Sequence, residues 1–184
     1  MEKEISTSKP QKLKISDGYQ NSERILKSKN FDSSQESKKI LDVIGYAKSK
    51  IKKQQFGGFQ NEITEIVLDK KYEKALKGLE DYSHVIILYW MNEAEGIVRL
   101  EHQPQGNPNV PKLGIFATRC QWRPNCIGIS TVPLISVSRN IVKVKGLDII
   151  DKTPILDIKP YLPDYDSAEG KIKIPEWTKK LTYK

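Results

Sequence analysis

The run Val85-Ile-Ile-Leu-Tyr-Trp-Met91 constrains the fold of this chain more than any other feature of its sequence. Its side chains are apolar at alternate positions on both sides, which is typical of a strand buried on both faces. The run is far shorter than the roughly 20 apolar residues that cross a membrane as a helix. The chain therefore needs a sheet around this strand, and other β-rich runs have to supply it.

Those other runs lie on both sides of the central strand in the sequence. They contain branched residues that suit a pleated, half-buried surface, and they lie at 40–47, 63–68, 113–118, 127–137 (interrupted by Pro133) and 141–150. Only residues 71–82 have a helical pattern, because their apolar residues recur at spacings of three and four. One helix among five or six strands predicts a mainly β domain. We expect a closed sheet or β-barrel with one or two short helices.

Residues 1–40 differ in composition from the rest of the chain. They are rich in Ser, Lys, Glu, Gln and Asn, and their few large apolar side chains keep no regular period. Such a segment buries too little surface to offset the entropy lost on ordering. We therefore expect a disordered, polar and basic tail over 1–40, followed by a single domain over 41–184. The alternative is a basic arm that binds a polyanion.

The charge balance favours a polyanionic partner. The chain has 31 Lys and Arg against 23 Asp and Glu, a formal charge of +8 and a pI near 9.3. Such an excess points first to nucleic acid and second to an anionic membrane surface. The N-terminus has no apolar segment of the kind found in secretory signals, so we expect a cytoplasmic protein.

Several common catalytic and binding motifs are missing from the sequence. It has no Gly-x-Gly-x-x-Gly, no Gly-x-x-x-x-Gly-Lys-Ser/Thr, no His-Glu-x-x-His and no Gly-x-Ser-x-Gly. Two cysteines cannot form a disulfide framework, and the spacing of Cys120 and Cys126 lies outside that of zinc ligands. With only two histidines besides, we expect no metal site.

The stretch 114–130 collects residue types that bind anions. Arg119 and Arg123 flank Trp122 on a loop that Pro124 stiffens, before Asn125. Two guanidinium groups at this spacing suit bidentate binding of a phosphate or carboxylate, and the indole suits stacking on a base. The alternative is that Arg123 pairs with a nearby carboxylate and that the Pro-Asn pair only shapes a turn. The residues alone leave these two interpretations even.

The stretch 147–163 contains three aspartates in an otherwise apolar segment. A carboxylate at the end of a strand can bind a ribose hydroxyl, an ammonium or a sulfonium group. For Asp151 the alternative is a turn, since Asp-Lys-Thr-Pro is a common turn sequence. That alternative is weaker for Asp148 and Asp157, which have Ile and Leu as neighbours, because a buried carboxylate needs a partner.

These two stretches, together with Gly-Leu-Glu-Asp-Tyr-Ser-His at 78–84, resemble the TsaA-like (TrmO) family of tRNA methyltransferases. The matching motifs are Ala-Thr-Arg followed by Arg-Pro-Asn-x-Ile-Gly, and Leu-Asp-x-x-Asp-x-Thr-Pro-x-x-Asp-Ile-Lys-Pro-Tyr. The resemblance runs in order from about Ile44 to Pro163. It implies a closed β-sheet domain that forms homodimers and binds S-adenosylmethionine. It also implies methylation of the exocyclic nitrogen of threonylcarbamoyladenosine, beside the anticodon of tRNA.

The resemblance also implies roles for individual residues. The matched positions predict cofactor contacts from Asn92, Glu93, Arg119, Ile129, Leu147, Asp148, Ile149, Ile150 and Asp151. Contacts to the tRNA substrate are predicted for Trp122, Arg123, Asn125, Lys159 and Tyr161. The nitrogen that is methylated has to lose a proton, and Asp148 and Asp157 are the candidate acceptors in the protein.

The chain departs from the family pattern at several positions. The usual Arg-Gln-Pro is replaced by Gln54-Gln55-Phe56, Cys120 and Cys126 stand where Ser and Pro are common, and Lys152 stands where Gly is usual. Asn92-Glu93 also replaces a frequent His-Gln. These changes leave two further functions open: a cofactor-free RNA-binding module, and a methyltransferase for another RNA or a small molecule. In each RNA-binding case we expect neither DNA nor a membrane as the partner.

Overall fold

Eight strands account for most of the regular structure in the computed structural model, which describes residues 41–53, 55 and 57–182. The predicted tail over 1–40 lies outside the described residues. The strands are β1 (Gly45–Lys48), β2 (Ile63–Leu68), β3 (His84–Trp90), β4 (Glu101–His102), β5 (Leu113–Gly114), β6 (Ile127–Ser138), β7 (Ile141–Lys145) and β8 (Pro154–Pro160). Six of them close into an antiparallel barrel in the order β1-β2-β7-β6-β3-β8. The prediction of a mainly β closed sheet is confirmed.

The helical segments in the described part of the chain are all short. The 3₁₀ helices are Lys70–Leu76, Leu79–Asp81, Asn92–Ala94, Pro104–Gly106, Ile115–Ala117 and Glu176–Lys180, and one α-helical turn spans Pro163–Asp166. None of the described helices is long and apolar enough to cross a membrane. Strands β4 and β5 form a separate hairpin outside the barrel.

The barrel core follows from the alternation of side chains along its strands. Val85, Ile87 and Tyr89 of β3 point inward and pack with Val142 and Val144 of β7 in one apolar cluster. The outward residues of β3 are also partly covered: Ile86 is buried, and Leu88 and Trp90 are half-buried. This coverage explains why the run lacks a polar face.

Three sequence predictions fail at turns. The single helix predicted over 71–82 is divided into two 3₁₀ segments, and Gly78 between them has a left-handed backbone (φ 86°). The run at 141–150 leaves the sheet after Lys145, since Gly146 also has positive φ. The strand predicted over 113–118 stops at Gly114 and turns into a 3₁₀ helix.

Strand β8 has no counterpart among the predicted strands. Its sequence is bounded by Pro154 and Pro160, and prolines are poor members of a central strand. Cross-strand register with β3 on one side and β1 on the other overrides that local preference. The barrel therefore closes through a segment whose local sequence favours a turn followed by an apolar run.

Candidate functional site

The barrel wall is open along the first half of β6. Residues 127–133 pair with β3, but the other edge of β6 meets β7 only from Leu134 onward. This one-sided pairing also explains Pro133, because β6 continues through it where one edge needs no hydrogen-bond donor. Within the described residues, the opening lies between β6 and the segment that follows β7. We call this stretch, where β6 lacks β7, the wall opening.

Tyr89 connects the two sides of the wall opening. The Tyr89 hydroxyl donates a hydrogen bond to the Asp148 carbonyl (3.1 Å). The Ser130 hydroxyl lies 3.3 Å from the Tyr89 hydroxyl oxygen. Burial raises the pKa of Tyr89 above its ordinary value, so the phenol keeps its proton at neutral pH. The residue lies in the central apolar run, and its role was not predicted. Only the register of β3 against β6 reveals it.

Gly128 makes the position of the Tyr89 ring possible. The two residues are direct cross-strand partners. A Cβ atom on Gly128 would lie 2.2 Å from Cε2 and 2.4 Å from Cζ of the tyrosine ring. Any larger residue would therefore push the ring, and with it the phenol, out of the wall opening.

Arg119 lies at the free edge of β6. Its guanidinium group donates a hydrogen bond to the Ile129 carbonyl (2.9 Å), and both residues are exposed. The positive charge of Arg119 acts on the Tyr89 phenol, and the negative charge of Asp148 acts on it in the opposite direction. The structure thus brings three predicted site residues, Arg119, Ile129 and Asp148, to one place. Among the described residues, the bond to the Ile129 carbonyl is the one hydrogen bond of the Arg119 guanidinium group, which has further N–H donors for a ligand.

Asp148 is the carboxyl group with the most unusual environment near the opening. Desolvation by the surrounding protein raises the pKa of its side chain, although the residue remains open to solvent. Within the part of the chain that is described, no ion pair or hydrogen bond involves this carboxyl group. Such a group is prepared to accept a proton or a hydrogen bond from a ligand.

The other residues of the predicted cofactor loop pack in the core or form backbone hydrogen bonds. The side chains of Leu147 and Ile149 are buried in the barrel core. Ile150 is half-buried, and its carbonyl accepts hydrogen bonds from the backbone N–H and the hydroxyl of Thr153. Any contact of Leu147 or Ile149 with a ligand would have to come from the backbone.

Asp151 stabilises a turn. Its carboxylate accepts the backbone N–H of Ser49 (3.0 Å) and lies 2.8 Å from the Lys52 ammonium group. Both contacts lower the pKa of Asp151, and the contact with Lys52 has the larger effect. The next residue, Lys152, has φ 65°, the left-handed region that glycine enters most easily. The turn therefore explains why the family usually has glycine at that position.

The loop before β6 is held by internal hydrogen bonds. The Arg123 guanidinium group reaches the carbonyl groups of Thr118 (3.4 Å) and Cys120 (3.5 Å). The Cys126 thiol, which is buried, lies 3.2 Å from the Arg123 carbonyl. Both cysteines are free. Arg123 therefore stabilises the loop, and no carboxylate of the described residues pairs with it. Asn125, two residues further on, is exposed.

Trp122 is packed against the hairpin of β4 and β5. The Arg99 guanidinium group covers one ring face at 3.8 Å, and His102 meets the ring edge-on at 4.9 Å. Desolvation and the charge of Arg99 lower the pKa of His102. Sequence patterns do not reveal Arg99 and His102 as neighbours of Trp122, because the hairpin pairing is a long-range contact.

The remaining predicted residues fall into two groups. Asn92 and Glu93 are exposed in the 3₁₀ helix after β3, at the same end as Cys126, whose carbonyl accepts the N–H of Met91. The members of the second group lie on β8 and just beyond it, and they are Asp157, Lys159 and Tyr161.

Asp157 is not placed beside Asp148. It shares the outer face of the barrel with Leu88 and forms an ion pair with Lys159 (2.6 Å). Leu88 lies between Asp157 and Ile129 across the sheet. Asp157 is therefore two strand spacings, about 10 Å, from Ile129, whose carbonyl Arg119 contacts. Tyr161 lies beyond the end of β8, where its hydroxyl is 3.0 Å from the Ser167 hydroxyl.

Taken together, these features define a class of protein. It is a six-stranded antiparallel barrel whose wall opening, held together by the buried Tyr89 phenol, presents a guanidinium group and a carboxyl group that has no ion pair among the described residues. Such a pair of groups fits a small ligand that carries both a negative and a positive charge. Among the described residues, no three His, Cys, Asp or Glu side chains group as a metal site.

The chain belongs to the family described as tRNA-methyltransferase O N-terminal domain, whose model matches residues 44–167. The S-adenosyl-L-methionine-binding protein of Archaeoglobus fulgidus is 38% identical over 131 residues, which is 69% of this chain and 92% of that protein. The tRNA (adenine(37)-N6)-methyltransferase of Mus musculus is 42% identical over 101 residues, 53% of this chain and 23% of that protein. The resemblance stated from the motifs is confirmed.

Solved structures agree with this assignment. The crystal structure of TrmO from Pseudomonas aeruginosa is similar with a TM-score of 0.59 and 30% sequence identity. The match covers 73% of this chain and 61% of that one. The chain therefore spans about three fifths of the length of the solved TrmO protein and under a quarter of the mouse methyltransferase.

Proposed function

We propose that this protein is an S-adenosylmethionine-dependent tRNA methyltransferase that methylates the exocyclic nitrogen of threonylcarbamoyladenosine next to the anticodon. The observation that carries the proposal is that Arg119 and Asp148 lie on the two sides of the wall opening, Arg119 hydrogen-bonded to β6 and Asp148 to the Tyr89 hydroxyl that β6 also contacts. Both residues lie within the segment that matches the family model. The net positive charge of +8 supports tRNA as the partner, and tRNA as the partner supports a cytoplasmic location.

The residues at the wall opening fit the cofactor. The guanidinium group of Arg119 suits the carboxylate of the methionine part, and the exposed side chains of Ile127 and Ile129 suit its apolar surfaces. The peptide N–H groups of Asp148 and Ile150 make no hydrogen bond within the described residues and are open to a polar ligand atom. When bound, S-adenosylmethionine supplies an electrophilic methyl group.

The protein also has to manage a proton. The lone pair of a ureido-type nitrogen is delocalised, so its proton must leave before or during methylation. Of the two candidate acceptors, Asp148 is favoured, because desolvation raises its pKa and no cation neutralises it among the described residues. Asp157 already forms an ion pair with Lys159 on the outer face of the barrel. We therefore propose that the Asp148 carboxylate accepts the proton that leaves the methylated nitrogen.

The proposal includes a homodimer. Leu100 and Phe116 are 81% and 79% exposed, and they lie close together because the Ile115 N–H donates to the Leu100 carbonyl (2.9 Å). Ile97 and Val98 add to the exposed apolar surface, which is unusual on a soluble monomer. Light scattering should give twice the monomer mass for the wild-type protein. A monomeric wild-type protein would contradict this part of the proposal.

The test of the function is methyl transfer to defined tRNAs. The protein is incubated with S-adenosylmethionine and tRNA that either carries or lacks the threonylcarbamoyl group, and the nucleosides are analysed by mass spectrometry. We expect the methylated nucleoside only from the modified tRNA. Cofactor binding without methylation of either tRNA would point to another substrate. Binding of tRNA without any cofactor binding would point to a non-catalytic RNA-binding module.

A further inference from the structure

The C-terminal segment 171–182, here called the strap, is attached to the tip of the β4–β5 hairpin. It lies beyond residues 44–167, the part that matches the family model. The backbone N–H of Thr182 donates to the Gln105 side-chain oxygen (3.1 Å), and the Gln105 amide nitrogen donates back to the Thr182 carbonyl. Asn107 donates to the Lys180 carbonyl (3.0 Å), and the Lys180 ammonium group donates to the Asn109 carbonyl (3.2 Å).

The docking of the strap depends on an unusual residue. Gln105 has φ 55°, a left-handed conformation that is uncommon for a residue with a side chain. Its amide contacts both the N–H and the carbonyl group of Thr182, as a neighbouring β-strand would. A strained backbone persists where the surrounding contacts hold it. The pairing with Thr182 therefore identifies a specific docking site and not a chance surface contact.

The strap carries positive charge that nothing neutralises within the described chain. Seven lysines of the barrel and its loops lie within ion-pair distance of a carboxylate: Lys48, Lys50, Lys52, Lys71, Lys112, Lys143 and Lys159. Six others form no ion pair with a described residue, and they are Lys53, Lys70, Lys74, Lys77, Lys145 and Lys152. On the strap, Lys171 and Lys173 are exposed and form no ion pair with any described residue. Lys180 contacts only a carbonyl group, while Lys179 is paired with Glu176.

The hairpin connects the strap to the loop that carries Arg119. The strap binds the loop between β4 and β5, and the base of the same hairpin packs on Trp122. The Arg99 backbone N–H also donates to the Trp122 carbonyl (3.1 Å). The hairpin therefore links the strap to the loop that carries Arg119.

We infer that the strap binds the phosphate backbone of the RNA whose target nucleoside occupies the wall opening. This inference rests on the proposed function, since it takes tRNA as the substrate. The groups that would bind phosphate are the ammonium groups of the strap that form no ion pair with a described residue. Gln105, Asn107 and Asn109 hold the strap in place. Each ammonium group that binds a phosphate releases condensed counterions, which makes the contribution of the strap measurable through salt.

The first experiment measures the affinity of the full-length protein for threonylcarbamoyl-modified tRNA over a range of salt concentrations. In the variant Lys171→Gln/Lys173→Gln we expect weaker binding and a slope of log K against log salt that is smaller by about 0.7 to 0.9 for each phosphate no longer bound. The control, Lys70→Gln/Lys74→Gln, removes the same charge from an exposed 3₁₀ segment and should keep the wild-type slope. Equal slopes in the wild-type protein and the strap variant would overturn the inference, and so would equal losses of affinity in both variants.

A second variant tests the docking itself. Gln105→Ala removes both hydrogen bonds to Thr182 and leaves every lysine in place, so hydrogen exchange over 176–182 should become faster. We expect its tRNA affinity to fall towards that of the strap variant, with unchanged affinity for S-adenosylmethionine. A released strap with wild-type tRNA affinity would refute the role of docking.

The two proposals fail in different ways. If the wild-type protein methylates tRNA and the strap variants bind it normally, only the strap inference is wrong. If tRNA binding depends on the strap but no nucleoside is methylated, the strap inference stands and the proposed reaction is wrong.

Discussion

Replacing Gly128 by alanine tests the packing that holds the wall opening together. The added Cβ would lie 2.2 Å from Cε2 of Tyr89, whereas carbon atoms in contact prefer about 3.5 to 4.0 Å. The ring must therefore move by more than about 1 Å. That movement breaks the hydrogen bond from the Tyr89 hydroxyl to the Asp148 carbonyl.

The size of the effect follows from two contributions. Overpacking of a close-packed interior costs about 1 to 3 kcal/mol, and breaking the hydrogen bond of a buried phenol adds about 1 kcal/mol. We therefore expect Gly128→Ala to lower the free energy of unfolding by about 2 to 4 kcal/mol. Urea titration followed by tryptophan fluorescence measures this change as a lower midpoint.

Two controls make this prediction specific. Gly114→Ala adds a methyl group that meets no atom within 4 Å, so its stability should stay within about 0.5 kcal/mol of wild type. In a Tyr89→Leu background the clash is relieved, and Gly128→Ala should cost much less than in the wild-type protein. If Gly128→Ala costs as little as Gly114→Ala, or the same in both backgrounds, the packing argument is refuted.

Two further predictions concern the aspartates. Asp148→Asn should lower kcat by about 10²- to 10⁴-fold, because it removes a proton acceptor. Since the acceptor must be ionised, the wild-type rate should rise with pH through the raised pKa of Asp148, and the variant should lack this rise in a stopped-flow or quench assay. Asp151 has a lowered pKa, so its interactions with Lys52 and Ser49 stabilise the fold above the ordinary carboxyl pKa of about 4, and this stabilisation disappears as pH falls through the folded value. Asp151→Asn should therefore be less stable than wild type at pH 7, and urea titrations should show the difference shrinking as the pH falls below the ordinary carboxyl pKa of about 4.

Local sequence patterns were sufficient for the class of fold. Branched residues at 63–68 and the apolar run at 85–91 predict strands that the structure contains as β2 and β3. The apolar spacings of three and four at 71–82 predict a helix, and the structure has short 3₁₀ segments there, in which residues three apart share a face. Gly78, whose left-handed backbone precedes the second segment, separates the two.

The site was less accessible to local patterns. Arg119 and Asp148 were linked through motifs that resemble a family, and no spacing rule would have joined them. Tyr89, Gly128 and Ser130 were missed because their role depends on the register between β3 and β6 and on the end of β7 at Lys145. Such long-range pairing leaves no local signal, since each residue by itself fits an ordinary strand.

The central claim is that the wall opening binds S-adenosylmethionine through Arg119. Isothermal titration of the cofactor into the wild-type protein and into Arg119→Ala tests it most directly. A charged hydrogen bond is worth about 1.5 to 3 kcal/mol, so Arg119→Ala should weaken binding by about 10- to 100-fold. Lys77→Ala, which removes one charge from an exposed position elsewhere, should bind like wild type. Equal affinities of Arg119→Ala and the wild-type protein would contradict the claim.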